Sequence, residues 1–343
     1  MAACLRAARA GILEQTREPQ PGAWFAEAVM NAVALAVDFD GYCLFGVDPL
    51  TGHRSVMFSR DGLRASTERL VHNETVEQDV NRYAELARLP RKAGILVSGG
   101  MSEPKSSRLH EILRPEGYRS ELRLVLVSGG RYWGALSLFR DDVRRPFTDN
   151  LADLMNQLCE PLSLVMRRYQ VGWPSPPQTP HPAGVVLFNR TGDVLGVSDE
   201  AHAWLVSLAE SWEHGASEAD VIRVVHEVAR ATAGRGDGLP VCRVRMPRGG
   251  WLVVSGSRIN DDDVDVAVVL RAGDIGAVAP AFGVWCGLTQ KESEVVPLLA
   301  AGLPAKQMAR RLSISVSTLN GHLKSIYRKA DVRGRGELMS LLS

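Results

Sequence analysis

The chain has 343 residues, 45% of them apolar and 23% charged. That is enough for two or three domains with their own cores, and it excludes disordered, collagen-like and disulfide-rich secreted classes. The net charge of +1 divides unevenly: residues 284–343 carry nine Lys/Arg against four Asp/Glu, a basic tail on a body of net −4, as expected when one end meets a polyanion. Five cysteines (Cys4, Cys43, Cys159, Cys242 and Cys286) form no CxxC pair, which argues against a disulfide framework or a zinc cluster. No run approaches the roughly 18 apolar residues of a membrane span, and residues 1–17 lack the core of a signal peptide. These features predict a cytoplasmic chain with no membrane partner.

In chain order, residues 21–36 read as a helix, and 40–47 and 54–59 as strands around the turn-rich DPLTGH. Residues 68–89 read as one helix. Residues 122–127 and 133–139 alternate on either side of Ser128-Gly129-Gly130, a hairpin signal. Residues 148–169 read as one amphipathic helix bent at Pro161. A run of five prolines in residues 172–183 marks a linker. Beyond it, 184–197 reads strand, turn, strand; 199–208 and 218–231 read as helices; 241–246, 251–257 and 264–270 read as strands. A softer boundary falls at 273–287, where glycines and Pro280 intervene. Short turns between strands predict antiparallel sheets and an α+β class.

The tail is the most informative stretch. Thr289 followed by Glu292 forms a capping box that opens a helix ended by Gly302. Pro304 opens a short helix with Lys306, Arg310 and Arg311 outside. Ser315 can cap a third helix, in which Val316, Leu319, Leu323, Ile326 and Ala330 form an apolar stripe. Its other face shows Ser317, Thr318, Asn320, Gly321, Lys324 and Arg328. A short helix, a tight turn and a longer helix with a polar, basic face is the pattern of a helix-turn-helix. A last helix offers Leu338, Leu341 and Leu342 for packing or dimer contact.

The segment LTQKESEVVPLLAAGLPAKQMARRLSISVSTLNGHLKSIYRKADVRGRGEL resembles the LuxR/FixJ-type DNA-binding domain. The matches include Leu288, Thr289, Glu292, Glu294, Val295, Gly302, Ala309, Leu312, Ser315, Thr318, His322, Ile326, Lys329 and Arg335. The resemblance implies DNA contacts from Thr318 and Lys324, with Asn320 and Gly321 at base edges and His322 packing. Lys306, Ser315, Ser317 and Arg328 complete the expected DNA-binding set. Lys291, Met308 and Leu319 replace the usual Arg, Ile and Val, and Gly321 lacks the side chain with which other members make a contact there. Pro297 removes a backbone donor inside the first helix of the tail.

Upstream, FDGYCLFGVDPLTG and ELRLVLVSGGRYWGALSLFRDD with RPFTD resemble a GAF-type sensory domain. That resemblance implies an antiparallel sheet able to hold a small ligand, with Tyr42, Phe45, Tyr118 and Trp133 as candidate contacts. No Cys-His pair suits a bilin. GVVLFNRTGDVLGVSDEAHAWL and CRVRMPRGGWLVVSGSRI resemble a PAS-like module, without a haem or flavin ligand. The expected domains are GAF-like at 21–170, a linker at 171–183, PAS-like at 184–272, and an all-α four-helix LuxR-type helix-turn-helix domain at 282–343.

Enzyme signatures fail one by one. His226-Glu227 lacks the second His of HExxH, since Arg230 stands there. The alternation Asp261, Asp263, Asp265 lacks the Gly and Glu of a calcium loop. Gly234, Gly236 and Gly238 follow a helix rather than a strand, and neither a phosphate loop nor a GxSxG elbow occurs. The sequence thus predicts no enzyme, no metal and no cofactor. It predicts a transcription regulator acting on double-stranded DNA as a homodimer, tuned by a signal at its N-terminal domains. The rival is a scaffold that uses its tail only to oligomerise.

Overall fold

The structure, a computed structural model, describes residues 2–17, 22–63, 67–75, 77–99, 105–141, 143–172, 181–212, 218–234, 239–246, 249–259 and 265–343. Most of the proline-rich linker, Asp261 and Asp263, and Gly236 and Gly238 lie outside them. The chain forms two compact units: Met1–Val47 with Val56–Met166, and Asp48–Ser55 with Arg167–Ser343.

The first unit opens with α1 (Ala2–Glu14), packed on α2 (Gly22–Ala34). Its sheet has the order β2-β1-β5-β4-β3, all antiparallel where register is defined, with β1 Gly41–Val47, β2 Arg54–Arg60, β3 Ala93–Val97, β4 Ser120–Ser128 and β5 Arg131–Arg140. The β4–β5 hairpin stands where alternation and the Ser-Gly-Gly turn predict it. Gly134 lets β5 approach β1: a Cβ there would lie 2.0 Å from the Phe45 carbonyl oxygen, which only glycine tolerates.

The sheet's two faces differ in chemistry. One carries the rows Leu44–Leu136–Leu124 and Tyr42–Leu138–Leu122. The other carries Gly41–Phe139–Glu121–Leu96 and Cys43–Ser137–Arg123–Gly94. Over this second face lie α3 (Thr67–Thr75), α4 (Tyr83–Leu86) and a π-helical turn, Arg108–Leu113. There Glu121 accepts from Arg108 Nε and Arg123 Nε, both at 2.8 Å, while Arg123 also pairs with Glu74 and lies 4.3 Å from the Tyr83 ring centroid. Burial pushes the Glu121 carboxyl up, but the two guanidinium charges outweigh it and hold it below the usual range.

Two expectations are corrected in this unit. The single helix over 68–89 is two, because Asn81 is left-handed (φ 57°) and the Asp79 carboxylate accepts from Val80 N and Arg108 N instead of continuing a helix. The helix over 148–169 is also two, α5 (Asp149–Asn156) and α6 (Cys159–Val171). The break precedes Pro161 and leaves it in the first turn of α6, where its missing N–H matters least. The sequence reading did not separate β3 or the π-helical turn.

The second unit repeats the strand order: β7-β6-β10-β9-β8, with β6 Gly184–Phe188, β7 Val194–Val197, β8 Val241–Arg245, β9 Trp251–Arg258 and β10 Val266–Ala272. Its first face, with Val186, Val268, Leu270, Val254 and Cys242 all fully buried, packs under α7 (Asp199–Trp212) and α8 (Glu218–Thr232). The boundary at 273–287 is itself a helix, α9 (Ile275–Cys286), because Asp274 caps it through Ala277 N and left-handed Gly287 closes it. Pro280 sits on its exposed side. Four helices follow: α10 (Gln290–Ala300), α11 (Ala305–Arg311), α12 (Val316–Ala330) and α13 (Arg335–Leu342). The architecture is thus multidomain α+β, two antiparallel sheets followed by an all-α segment.

Candidate nucleic-acid interface

The frame of the four helices is set by local hydrogen bonds. At α10 the Thr289 hydroxyl accepts from Glu292 N (3.3 Å) and the Glu292 carboxylate accepts from Thr289 N (2.7 Å), the expected capping box. The same carboxylate accepts from Lys329 Nζ at 2.6 Å, near the end of α12. Burial raises the Glu292 carboxyl, yet hydrogen bonds from Lys329, Ser325 and the Thr289 backbone outweigh it and hold it at about 2. The motif residues Glu292 and Lys329 therefore act as a pin between the first and third helices of the motif.

The turn between α11 and α12 places Ser313 in the left-handed region (φ 55°). Ser315 then caps α12, accepting from Thr318 N at 3.0 Å, and its hydroxyl pairs with that of Thr318 at 2.9 Å. Leu319, Ile326, Ala330, Met308 and Ala309 are buried. Val316, expected in the apolar stripe, is exposed because it is the first residue of α12, a turn before the helix meets its neighbours.

Lys306, Ser315, Ser317, Thr318, Asn320, Gly321, Lys324 and Arg328 are all exposed. Those on α12 recur at spacings of three and four and so share one face. Arg310 and Arg311 are exposed beside them. A Cβ on Gly321 would meet nothing within 4 Å. Leu338, Leu341 and Leu342 are fully buried within the chain.

The four aromatics proposed for a ligand are dispersed. Tyr42 and Phe45, three apart on β1, point to opposite faces of their sheet; Tyr42 lies edge-on to Phe39 and Phe45 edge-on to Tyr83. Tyr118 packs on Phe139, with ring centroids 5.2 Å apart, and donates to the Asp61 carbonyl. Trp133 donates to the Ser128 carbonyl at 3.0 Å. All four are buried.

The family model GerE, described as bacterial regulatory proteins of the luxR family, matches residues 287–342. Over 53 residues the chain is 45% identical to the monoamine regulon transcriptional regulator of Klebsiella aerogenes, covering 16% of this chain and 23% of that one. Over 50 residues it is 42% identical to the nitrate/nitrite response regulator protein NarL of Escherichia coli strain K12, covering 15% and 23%. The chain thus spans about a quarter of the length of the curated relatives it matches. A crystal structure of Escherichia coli SdiA aligns over 97% of this chain and 94% of that one, at 15% identity and a TM-score of 0.35. The cyanobacteriochrome TePixJ GAF domain aligns over 45% and 93%, at 15% identity and a TM-score of 0.31. Residues 287–342, with their capped helices and exposed polar face, are a regulatory domain of the luxR family.

Proposed function

We propose that the chain is a DNA-binding transcriptional regulator whose activity is tuned by a signal or partner at the two upstream sheet domains, 21–170 and 184–272. The observation that carries this reading is the exposure of the whole polar face of α12, beside a helix frame fixed by the Glu292–Lys329 pin. In it the domain at 282–343 lays α12 in the major groove, where one helix fits. Asn320 and the bare backbone at Gly321 meet base edges, Ser315, Ser317 and Thr318 meet phosphates near the helix start, and Lys306, Lys324 and Arg328 neutralise flanking phosphates.

The chain acts as a homodimer on two half-sites, in the cytoplasm, without enzymatic chemistry or a cofactor. A small-molecule ligand in the first sheet domain belongs to the same reading. Of its candidate contacts, Phe45 lies on the face of that sheet where Tyr118 packs on Phe139. The scaffold alternative has less support, because the leucines it would use between copies are buried inside the chain.

Lys324→Ala tests the interface. Fluorescence anisotropy on duplex DNA across a salt series should show weaker binding at every salt and a slope reduced by about 1. Unchanged affinity and slope would remove α12 from the interface.

A further inference from the structure

Helix ends converge on the second face of the β6–β10 sheet. Helices α6, α9 and α13 end at Val171, Cys286 and Leu342, and each end leaves carbonyls that require donors. A guanidinium meets each. Arg167 donates to the Trp285 carbonyl through Nη2 at 2.7 Å and Nε at 3.2 Å. Arg168 Nη1 donates to the Gly172 carbonyl at 3.1 Å, and Arg245 Nη1 to the Leu341 carbonyl at 2.8 Å. Trp251 Nε1 donates to that same Leu341 oxygen at 2.7 Å. The Trp251 ring stacks on Trp285, centroids 5.2 Å apart, with the Arg245 guanidinium 5.3 Å from its own centroid.

A fourth helix end joins them. Asp331, the left-handed C-cap of α12, lies 3.4 Å from Arg168 Nη2. That carboxylate is largely exposed, so the single ion pair contributes little; the convergence of several donors is what holds. Room is tight. Gly172 has φ 74°, and a Cβ there would stand 2.9 Å from Arg245 Nε.

Helix C-termini carry fractional negative charge, and a cation close to them is stabilising. Burial lowers the pKa of Arg167 and Arg168, and takes Arg245 to about 10. Arg245 thus stays charged at neutral pH. Its oxygen partner is a carbonyl, which no change of pH removes.

We propose that Arg167, Arg168, Arg245 and Trp251 form a clamp that makes α10–α13 one rigid body with the β6–β10 sheet and delivers any displacement of the last turn of α6 to the end of α12. The clamp stands independently of the function proposed above.

Hydrogen exchange on the full chain tests it. In the double variant Arg245→Ala/Trp251→Phe, amides over 326–342 should exchange at least tenfold faster, while those of β6–β10 keep their protection. Trp251→Phe alone keeps an aromatic ring for the stack and removes only the N–H, so it should give a smaller acceleration in the same segment. Unchanged exchange over 326–342 would overturn the clamp. So would an equal acceleration throughout β6–β10, which would signify general loss of packing. Duplex binding by the wild-type chain separates the two claims: its absence at all salts defeats the proposed function and leaves the exchange result standing.

Discussion

The two sheets share a strand order, yet two arginine clusters on them, Arg108 with Arg123 and Arg245 with the end of α6, hold different partners. In the first unit Arg108 and Arg123, almost fully buried, are matched to the carboxylates of Glu121 and Glu74. In the second, Arg245 and the arginines at the end of α6 reach carbonyl oxygens at helix ends. A common topology therefore fixes where side chains go without fixing their partners. A carboxylate partner is a full charge that can be titrated; a carbonyl partner is a dipole that cannot.

The largest break in that comparison should come from removing one member of the carboxylate set. Arg123→Ala leaves Glu121 and Glu74 buried with one cation fewer, a loss of about 3–5 kcal/mol, read as faster exchange of β4 and β5 amides. In the second sheet, Val268→Ala removes only apolar contact from the face under α8, for a loss of about 1.5–3 kcal/mol. Acid sharpens the contrast. Glu77, beside the first network, is held at about 2 against an ordinary 4.5, by hydrogen bonds from Ser107, Asn73 and Arg69 and by the Arg69 charge. Its stabilisation is therefore complete above pH 4.5 and is lost as pH falls through about 2. Thermal melts taken from pH 5 to pH 2 should show progressive weakening of the first unit, and Glu77→Gln should flatten that dependence. The smallest effect belongs to the equivalent second strands. Val194, Leu195 and Val197 of β7 are exposed, whereas Val56, Met57 and Phe58 of β2 are buried. Leu195→Lys should change stability by no more than about 0.5 kcal/mol, read from thermal melts, and Met57→Lys by far more.

Strands and the tail helices were legible because their patterns are local. Alternation with glycine turns marks β4 and β5, and a capping box followed by a 3–4 stripe marks α10 and α12. What escaped the sequence depends on distant partners. Glu121 and Arg123 sit two apart on β4 and read as ordinary polar positions, yet Arg108 and Glu74 come from other elements to bury them. Arg245 in β8 likewise gave no hint of the Leu341 carbonyl it reaches, nor Arg243 of the Ala277 carbonyl and the Asp48 carboxylate it joins. The break before Pro161 was misplaced because periodicity continues through it, and only the backbone shows that a new helix begins at Cys159. For the candidate interface, exposure followed from the stripe, since the residues opposite Leu319 and Ile326 must face outward. The Lys329–Glu292 contact spans 37 positions and needed coordinates.

Gly321 stands mid-helix on the outer face of α12 with open space where a side chain would begin. A glycine at such a site weakens a helix by about 1 kcal/mol relative to alanine, so almost any replacement would be tolerated and alanine would strengthen the element. The position is a blank socket: substitutions there would add side chains to the exposed face of the helix without disturbing its scaffold.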